Sequence, residues 1–149
     1  MNAAHDTASD PYLDIGLDGL RLIEASAGTG KTFTLATLVT RLVVERSLRL
    51  GQILAVTFTE AATQELRARL RKRLILAADI ASTLGVEHGQ PGDDDAETAL
   101  TRRIIQRQLQ HEDAAVLGAR LRRAEREIDL AAVFTIHGFC SRVDRKSVV

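Results

Sequence analysis

The stretch that decides the fold of this chain is Ala25-Ser26-Ala27-Gly28-Thr29-Gly30-Lys31-Thr32. Gly28 and Gly30 can adopt positive φ without a Cβ clash, so the backbone can turn its N–H groups inward around a phosphate. Lys31 would place its ammonium against the β- and γ-phosphates of a nucleotide, and the Thr32 hydroxyl would be a ligand of the bridging Mg²⁺. The stretch matches G-x-x-x-x-G-K-[ST] except at Ala25. All eight residues are therefore predicted to bind a nucleotide, with Lys31 and Thr32 as the catalytic pair.

The flanking residues give this loop the order strand, loop, helix. Leu20-Arg21-Leu22-Ile23-Glu24 alternates like a short strand, and residues 33–44 predict a helix whose apolar face carries Leu35, Leu38, Val39 and Leu42. A phosphate would then lie at the positive N-terminus of the helix. The alternative is a Gly-rich turn with an incidental Lys. Composition disfavours it, because the chain has three lysines against seventeen arginines, so a Lys at this position is not typical of its basic residues.

Length and composition limit the classes of protein to consider. At 149 residues and zero net charge, the chain is one domain at most, short for an enzyme that couples nucleotide hydrolysis to movement, so we expect a fragment. Cys140 is the only cysteine, which excludes a disulfide framework and a Cys-based zinc site and fits a reducing cytosol. Residues 1–14 lack a signal-peptide pattern, and no apolar run could span a membrane. We expect a soluble, cytoplasmic protein without a membrane partner.

The remaining chain alternates strands and helices. Residues 53–58 and 130–135 predict buried strands, and Thr59 is expected to cap a helix over 60–80, with the arginines from Arg67 to Arg73 on its surface. The core stripe of that helix is predicted to consist of Ala61, Ala62, Leu66, Leu70, Leu74 and Ala77. Helices over 96–110 and 113–125 form a helical insertion at about 81–127, and His88 and His111 are interpreted as surface residues. The pattern predicts an α/β domain with a parallel sheet.

Hydroxyl and aromatic residues follow two of the predicted strands. Thr57-Phe58-Thr59 ends one strand, and Thr135-Ile136-His137-Gly138-Phe139 ends the other. Ligands of parallel sheets collect beyond the carboxyl ends of the strands, where hydroxyls can hold phosphates and an exposed ring can stack on a base. These turns predict a second surface, suited to single-stranded nucleic acid. Core packing of either aromatic residue is the alternative.

Three motifs together resemble the first motifs of superfamily 1 helicases of the UvrD/RecB type. They are Ile23 to Thr32, Val56-Thr57-Phe58-Thr59-Glu60-Ala61-Ala62 with Glu65-Leu66-Arg67, and Phe134-Thr135-Ile136-His137-Gly138-Phe139-Cys140. The resemblance implies a RecA-like, P-loop NTPase fold, with ATP and Mg²⁺ bound at the first motif. It also implies that the other two motifs lie along a single-stranded DNA track. The DNA-binding residues implied in this way are Thr57, Phe58, Thr59, Ala61, Thr135, His137 and Phe139.

The same resemblance implies the amino-terminal segment of an ATP-dependent 3′-to-5′ DNA helicase and exonuclease subunit that acts in recombinational double-strand break repair. Such a subunit acts on single- and double-stranded DNA together with RecC-like and RecD-like subunits. The chain departs from the family pattern in lacking an adenine-reading glutamine before the first strand. The Walker B carboxylates, the arginine fingers and a nuclease module are absent and are expected downstream of residue 149. A stand-alone UvrD-like or AddA-like helicase, a phosphate-loop kinase and an inert gene fragment remain alternatives.

The resemblance and the composition together predict three segments. Residues 1–12 are expected to be a flexible lead-in, and residues 13–143 a partial first motor domain. Residues 144–149 read Asp-Arg-Lys-Ser-Val-Val, which is what a common sequencing adapter would encode, so this tail is expected to be non-native. A genuine polar end to the last helix is the alternative.

Overall fold

A computed structural model describes residues 10–24, 30–86 and 94–147 of the chain. Its helices are α1 (Pro11–Asp14), α2 (Lys31–Glu45), α3 (Glu60–Val86), α4 (Ala96–Gln108), α5 (Ala114–Glu127) and α6 (Ile136–Ser147). Its strands are β1 (Leu54–Thr57) and β2 (Ala132–Thr135), and short 3₁₀ turns at Leu50–Gln52 and Ile128–Leu130 precede them. The described chain is therefore a mostly helical α/β structure, which confirms the predicted class in its coarse form.

The two strands pair in parallel, with Leu54 opposite Ala132 and Thr57 opposite Thr135. The crossover between them consists of α3, α4 and α5. Because parallel strands share one carboxyl edge, the turns that follow β1 and β2 lie side by side. α3 begins just beyond β1, and α6 begins directly after β2.

The long helix α3 is the centre of the core. Leu66, Leu70, Leu74 and Ala77 are all buried on it, which confirms four members of the predicted stripe, whereas Ala61 is exposed. At about 1.5 Å per residue, its 27 residues span roughly 40 Å, well beyond the end of the four-residue strand beside it. The helix packs against α2, α4 and α5 over that length. Buried residues from those helices complete the core, among them Ala36, Val43, Ile104, Ile105, Leu117 and Leu121.

The buried face of α2 matches the predicted one only in part, since Val39 is buried but Leu38 and Leu42 are half-buried. Leu35 is 39% exposed, and the fully buried positions include Thr37 and Thr40. These threonines can be buried because their hydroxyls donate to the carbonyls one turn earlier, Phe33 O at 2.9 Å and Ala36 O at 2.8 Å. The positions of apolar side chains therefore did not predict the whole buried face of α2, because a threonine can also be buried when its hydroxyl donates to a backbone carbonyl.

Arg73 is buried, which corrects its predicted place on the surface of α3. Its Nε and Nη2 atoms each lie 2.8 Å from Oε1 of Glu97 on α4, and its Nη1 donates to the Thr37 hydroxyl at 3.2 Å. Glu97 and the Thr37 hydroxyl thus compensate part of the loss of water around the guanidinium, while its buried Nη2 atom makes no hydrogen bond within the described chain. Sequence periodicity could not find this partner, because Glu97 lies on another helix.

The predicted strand over residues 20–24 is not formed. Leu20 and Leu22 are 96% and 88% exposed, and no described strand pairs with this segment. A strand is stabilised by hydrogen bonds to a neighbour, and β1 and β2 bond to each other. The face of the sheet that carries Leu54 and Val56 is partly open to solvent, since both side chains are about half exposed. α3 and α6 both contact β1 and β2, and Phe139 and Arg142 of α6 line a cavity with Leu54, so α6 covers this face in part.

The first described helix is α1, which begins at Pro11. Asp10 caps it by accepting the Tyr12 N–H at 2.9 Å. The Arg41 guanidinium on α2 donates to the carbonyls of Tyr12 and Ile15. Residues 1–9 of the predicted lead-in lie outside the described residues. No described helix combines the length and apolar composition that a membrane crossing requires.

Candidate nucleotide and nucleic-acid surfaces

The first candidate surface is the N-terminus of α2, where Lys31 and Thr32 lie. Gly30 precedes them with φ of +88°, a left-handed conformation that favours glycine, and its carbonyl accepts the first helical bond from Thr34 N at 2.7 Å. Gly30 has no side chain to cap the helix, so it supplies no bond to the N–H groups of the first turn. Lys31 is exposed and Thr32 half-buried. Five predicted loop residues, Ala25, Ser26, Ala27, Gly28 and Thr29, lie outside the described residues.

This helix start fits a phosphate group. Anions bind where backbone N–H groups and the positive end of the helix dipole point outward, and an exposed ammonium on the next residue adds a full charge. No described residue lies within 4 Å of the position that a Cβ of Gly30 would occupy. Within the described ranges, no group of three or more His, Cys, Asp or Glu residues could hold a metal ion.

Aromatic and charged side chains pack against the same helix start. The Phe33 ring meets Tyr12 of α1 edge-on, with centroids 5.2 Å apart, and the Arg73 guanidinium lies 4.9 Å from the Phe33 centroid. Burial lowers the pKa of the Arg73 guanidinium, while the hydrogen bond and the charge of Glu97 act in the opposite direction. Because arginine titrates so far above neutral pH, it stays charged here. Contacts from α1 and α3, and from α4 through Glu97, thus hold the first turn of α2, which carries Lys31.

The second candidate surface begins at the turn after β1. Phe58 is 89% exposed, which excludes the alternative that its ring belongs to the core. Thr59 accepts the Ala62 N–H on its hydroxyl at 3.1 Å, so it caps α3 as predicted. The Thr57 hydroxyl lies 2.6 Å from that of Thr63, one turn into the helix. Ala61 is exposed in the same first turn.

The turn after β2 lies beside it. The Thr135 hydroxyl accepts the Gly138 N–H at 3.0 Å and so caps α6. His137 is exposed, and Phe139 is half-buried. A Cβ on Gly138 would lie 3.1 Å from the Thr135 hydroxyl, so glycine keeps this cap uncrowded. His111, the other described histidine, is exposed as predicted.

The structure brings the two turns together through the sheet, since Thr57 and Thr135 are register partners. Two exposed rings, Phe58 and His137, therefore belong to neighbouring strand ends that also carry hydroxyl groups. Among the described residues, no hydrogen bond or ion pair joins Lys31 or Thr32 to either turn. The N-terminus of α2 and the paired turns are the two candidate surfaces among the described residues.

Two residues of α3 lie beneath the turns: Thr63, which no motif singled out, and Arg67, which was predicted on the helix surface. Thr63 is 2% exposed, and Arg67 donates from Nη2 to the Val133 carbonyl of β2 at 2.9 Å. One helix thus holds the end of β1 through Thr63 and the backbone of β2 through Arg67. A signal was present in the sequence, because Thr63 and Arg67 are one turn apart and flank the buried stripe position Leu66.

Comparisons with known proteins show similarity to a helicase family and to RecB subunits. The UvrD/REP helicase N-terminal domain family matches residues 11–148. "RecBCD enzyme subunit RecB" of Escherichia coli (strain K12) is 42% identical over 144 residues, which cover 90% of this chain and 11% of that protein. The subunit of the same name from Haemophilus influenzae is 37% identical over 140 residues, covering 88% and 11%. That from Mycolicibacterium smegmatis is 38% identical over 122 residues, covering 82% and 10%. The chain spans about a tenth of the length of these relatives.

Proposed function

Because the chain belongs to the UvrD/REP helicase N-terminal domain family, we propose that it forms the ATP-binding segment of the first motor domain of a RecB-like helicase. The fold proposed for the complete domain is a RecA-like, P-loop sheet flanked by helices. The observation that carries the proposal is the pairing of the two motif turns. They expose Phe58 and His137 at adjacent strand ends, apart from the helix start that carries Lys31.

The nucleotide surface is proposed to consist of the eight residues from Ala25 to Thr32. Lys31 would hold the β- and γ-phosphates as a point charge, and the free N–H groups at the start of α2 would add hydrogen bonds. Thr32 would be a ligand of Mg²⁺, which when bound neutralises charge on the phosphates. The packing of Phe33 against Tyr12 and Arg73 supports this role, because it fixes the backbone on which both side chains depend.

The DNA surface is proposed to consist of Thr57, Phe58, Thr59, Ala61, Thr135, His137 and Phe139. Phe58 and His137 would stack on unpaired bases, a contact that tolerates any sequence because every base has a π-face. The hydroxyls and backbone of the two helix starts would hold phosphates. The half-buried Phe139 would support the second turn from within.

The complete protein is proposed to be a cytoplasmic, ATP-dependent 3′-to-5′ helicase and exonuclease subunit in recombinational double-strand break repair. The names of the relatives support this reading over a stand-alone UvrD-like or AddA-like helicase. Its partners would be single- and double-stranded DNA and RecC-like and RecD-like subunits. A small-molecule kinase would have no use for two exposed rings at paired strand ends.

The test is the ATPase activity of the full-length protein with and without single-stranded DNA. We expect hydrolysis to rise on adding DNA, and Lys31→Ala to abolish it while DNA binding without nucleotide persists. Lys72→Ala is the matched control, because Lys72 is an exposed lysine on α3 and should leave hydrolysis unchanged. ATPase activity that ignores DNA would refute the helicase assignment in favour of a kinase-like enzyme.

A further inference from the structure

A buried hydroxyl lies beneath the turn that exposes Phe58. Thr63 is 2% exposed, and it shares the inner side of α3 with Leu66 and Leu70, where an apolar side chain would pack equally well. A buried hydroxyl costs free energy unless it is hydrogen-bonded. The partners of Thr63 therefore indicate what the hydroxyl does.

Those partners are all in the turn. The Thr63 hydroxyl lies 2.6 Å from the Thr57 hydroxyl and 3.2 Å from the Thr59 carbonyl. The Thr57 hydroxyl also lies 3.2 Å from that carbonyl, which accepts the Thr63 N–H at 3.1 Å as well. The two hydroxyls have one proton each. If Thr63 donates to Thr57, then Thr57 donates to the carbonyl, and if Thr57 donates to Thr63, then Thr63 donates to the carbonyl.

A phosphate oxygen is an acceptor, so Thr57 can bind one only by turning its proton outward. The Thr59 carbonyl does not depend on that proton, because the Thr63 N–H still reaches it. When Thr63 donates to Thr57, the oxygen of Thr57 remains hydrogen-bonded while its proton points to the phosphate. Hydrogen bonds in such a chain polarise one another, which strengthens the outer one.

We propose that Thr63 is a positioning residue for DNA binding, which donates to Thr57 and so directs the Thr57 hydroxyl toward a DNA phosphate. The inference rests on the proposed function and deepens it, since it assigns a role to a residue that cannot itself touch DNA. Thr63 acts on one contact only. Base stacking by Phe58 and nucleotide binding at Lys31 do not depend on it.

The test uses Thr63→Val, which keeps the shape and removes the hydroxyl, and Thr63→Ser, which keeps the hydroxyl, in the full-length protein. We expect Thr63→Val to weaken single-stranded DNA binding about two- to twelvefold, the range that one hydrogen bond contributes. Thr63→Ser should stay within about twofold of the original protein. Melting curves and nucleotide affinity without DNA should be close to the original for both.

A double-mutant cycle with Thr57→Val separates positioning from general structural support. If Thr63 acts through Thr57, the change at residue 63 should have almost no further effect on DNA affinity once the Thr57 hydroxyl is gone. Losses that add in full, or equal affinity of Thr63→Val and the original protein, would overturn the inference while the proposed function stands. Failure of the original full-length protein to bind single-stranded DNA would refute the proposed function and this inference with it. Thr63→Ala serves as the hydroxyl-free variant if the valine protein does not fold.

Discussion

Replacing Phe58 by alanine should separate DNA binding from stability. The side chain is 89% exposed, so only about a tenth of its area is buried in the fold. Full burial of a Phe side chain is worth about 1.5–3 kcal/mol, so the buried tenth contributes about 0.3 kcal/mol or less. A base stacked on the ring is worth about 1–3 kcal/mol, which corresponds to roughly 5- to 150-fold in affinity. Phe58→Ala should therefore weaken DNA binding far more than it weakens the fold.

The assay is fluorescence anisotropy with a labelled single-stranded oligonucleotide at fixed salt, beside a denaturant titration of each protein. Leu130→Ala is the matched control. Leu130 is 78% exposed, but it precedes β2 and so lies at the opposite end of the strand from the two turns. We expect both variants to unfold near the midpoint of the original protein, and only Phe58→Ala to lose affinity.

Two results would refute the reasoning. Unchanged DNA affinity in a stable Phe58→Ala protein would exclude stacking on this ring. A loss of about 3–5 kcal/mol in the free energy of unfolding would mean that the ring is a core residue after all. An equal loss of affinity in Leu130→Ala would indicate that DNA binds exposed apolar groups without regard to the turns.

Three further predictions concern nucleotide binding and stability. The 149-residue chain should bind ATP weakly in calorimetry, and Lys31→Ala should remove that binding. Neither the original chain nor the variant should release phosphate from ATP, and steady hydrolysis would contradict this. Arg73→Met should lower the free energy of unfolding by about 2–4 kcal/mol, because it breaks a buried ion pair, whereas the exposed Arg71→Met should cost less than about 1 kcal/mol; equal losses in denaturant titrations would contradict the burial argument. The hydrogen bond from Arg49 lowers the pKa of Glu127, so the pair stabilises the fold above the ordinary pKa of a glutamate, and this stabilisation is lost as pH falls through the folded-state pKa. Glu127→Gln should therefore reduce the fall in the free energy of unfolding at acid pH. An unchanged dependence of that free energy on pH would exclude the pair as its source.

Much of the helical part of the fold could be predicted, because helix periodicity is a local signal. The stripe of α3 from Leu66 to Ala77 and the cap at Thr59 follow from spacing alone. Two of the failures involve partners that are distant in the chain. Arg73 is buried because Glu97 faces it from another helix, and residues 20–24 lack a strand because no described neighbour pairs with them.

The candidate surfaces were predictable to a different extent. The motif residues predicted where the two turns lie in the sequence, and the family resemblance implied that they bind DNA. Only the register of β1 and β2 shows that Thr57 lies opposite Thr135. The exposure of Phe58 could not be read from sequence either, since a lone aromatic after an apolar strand is more often buried. The hydrogen bonds of Thr63 could not be predicted from the sequence, because they depend on three oxygen atoms that lie within hydrogen-bonding distance in the folded chain.

The crossover that joins the two strands also sets an order of events during folding. β1 and β2 are far apart in the chain, and three helices lie between them, so their pairing closes a long loop. Contacts between α3, α4 and α5 are closer in sequence and cost less loop-closure entropy, so they should form first. The strand ends meet only once that helical unit has collapsed. Phe58 and His137 therefore come to lie on one surface late, and a chain caught before strand pairing would have its helices without the paired turns.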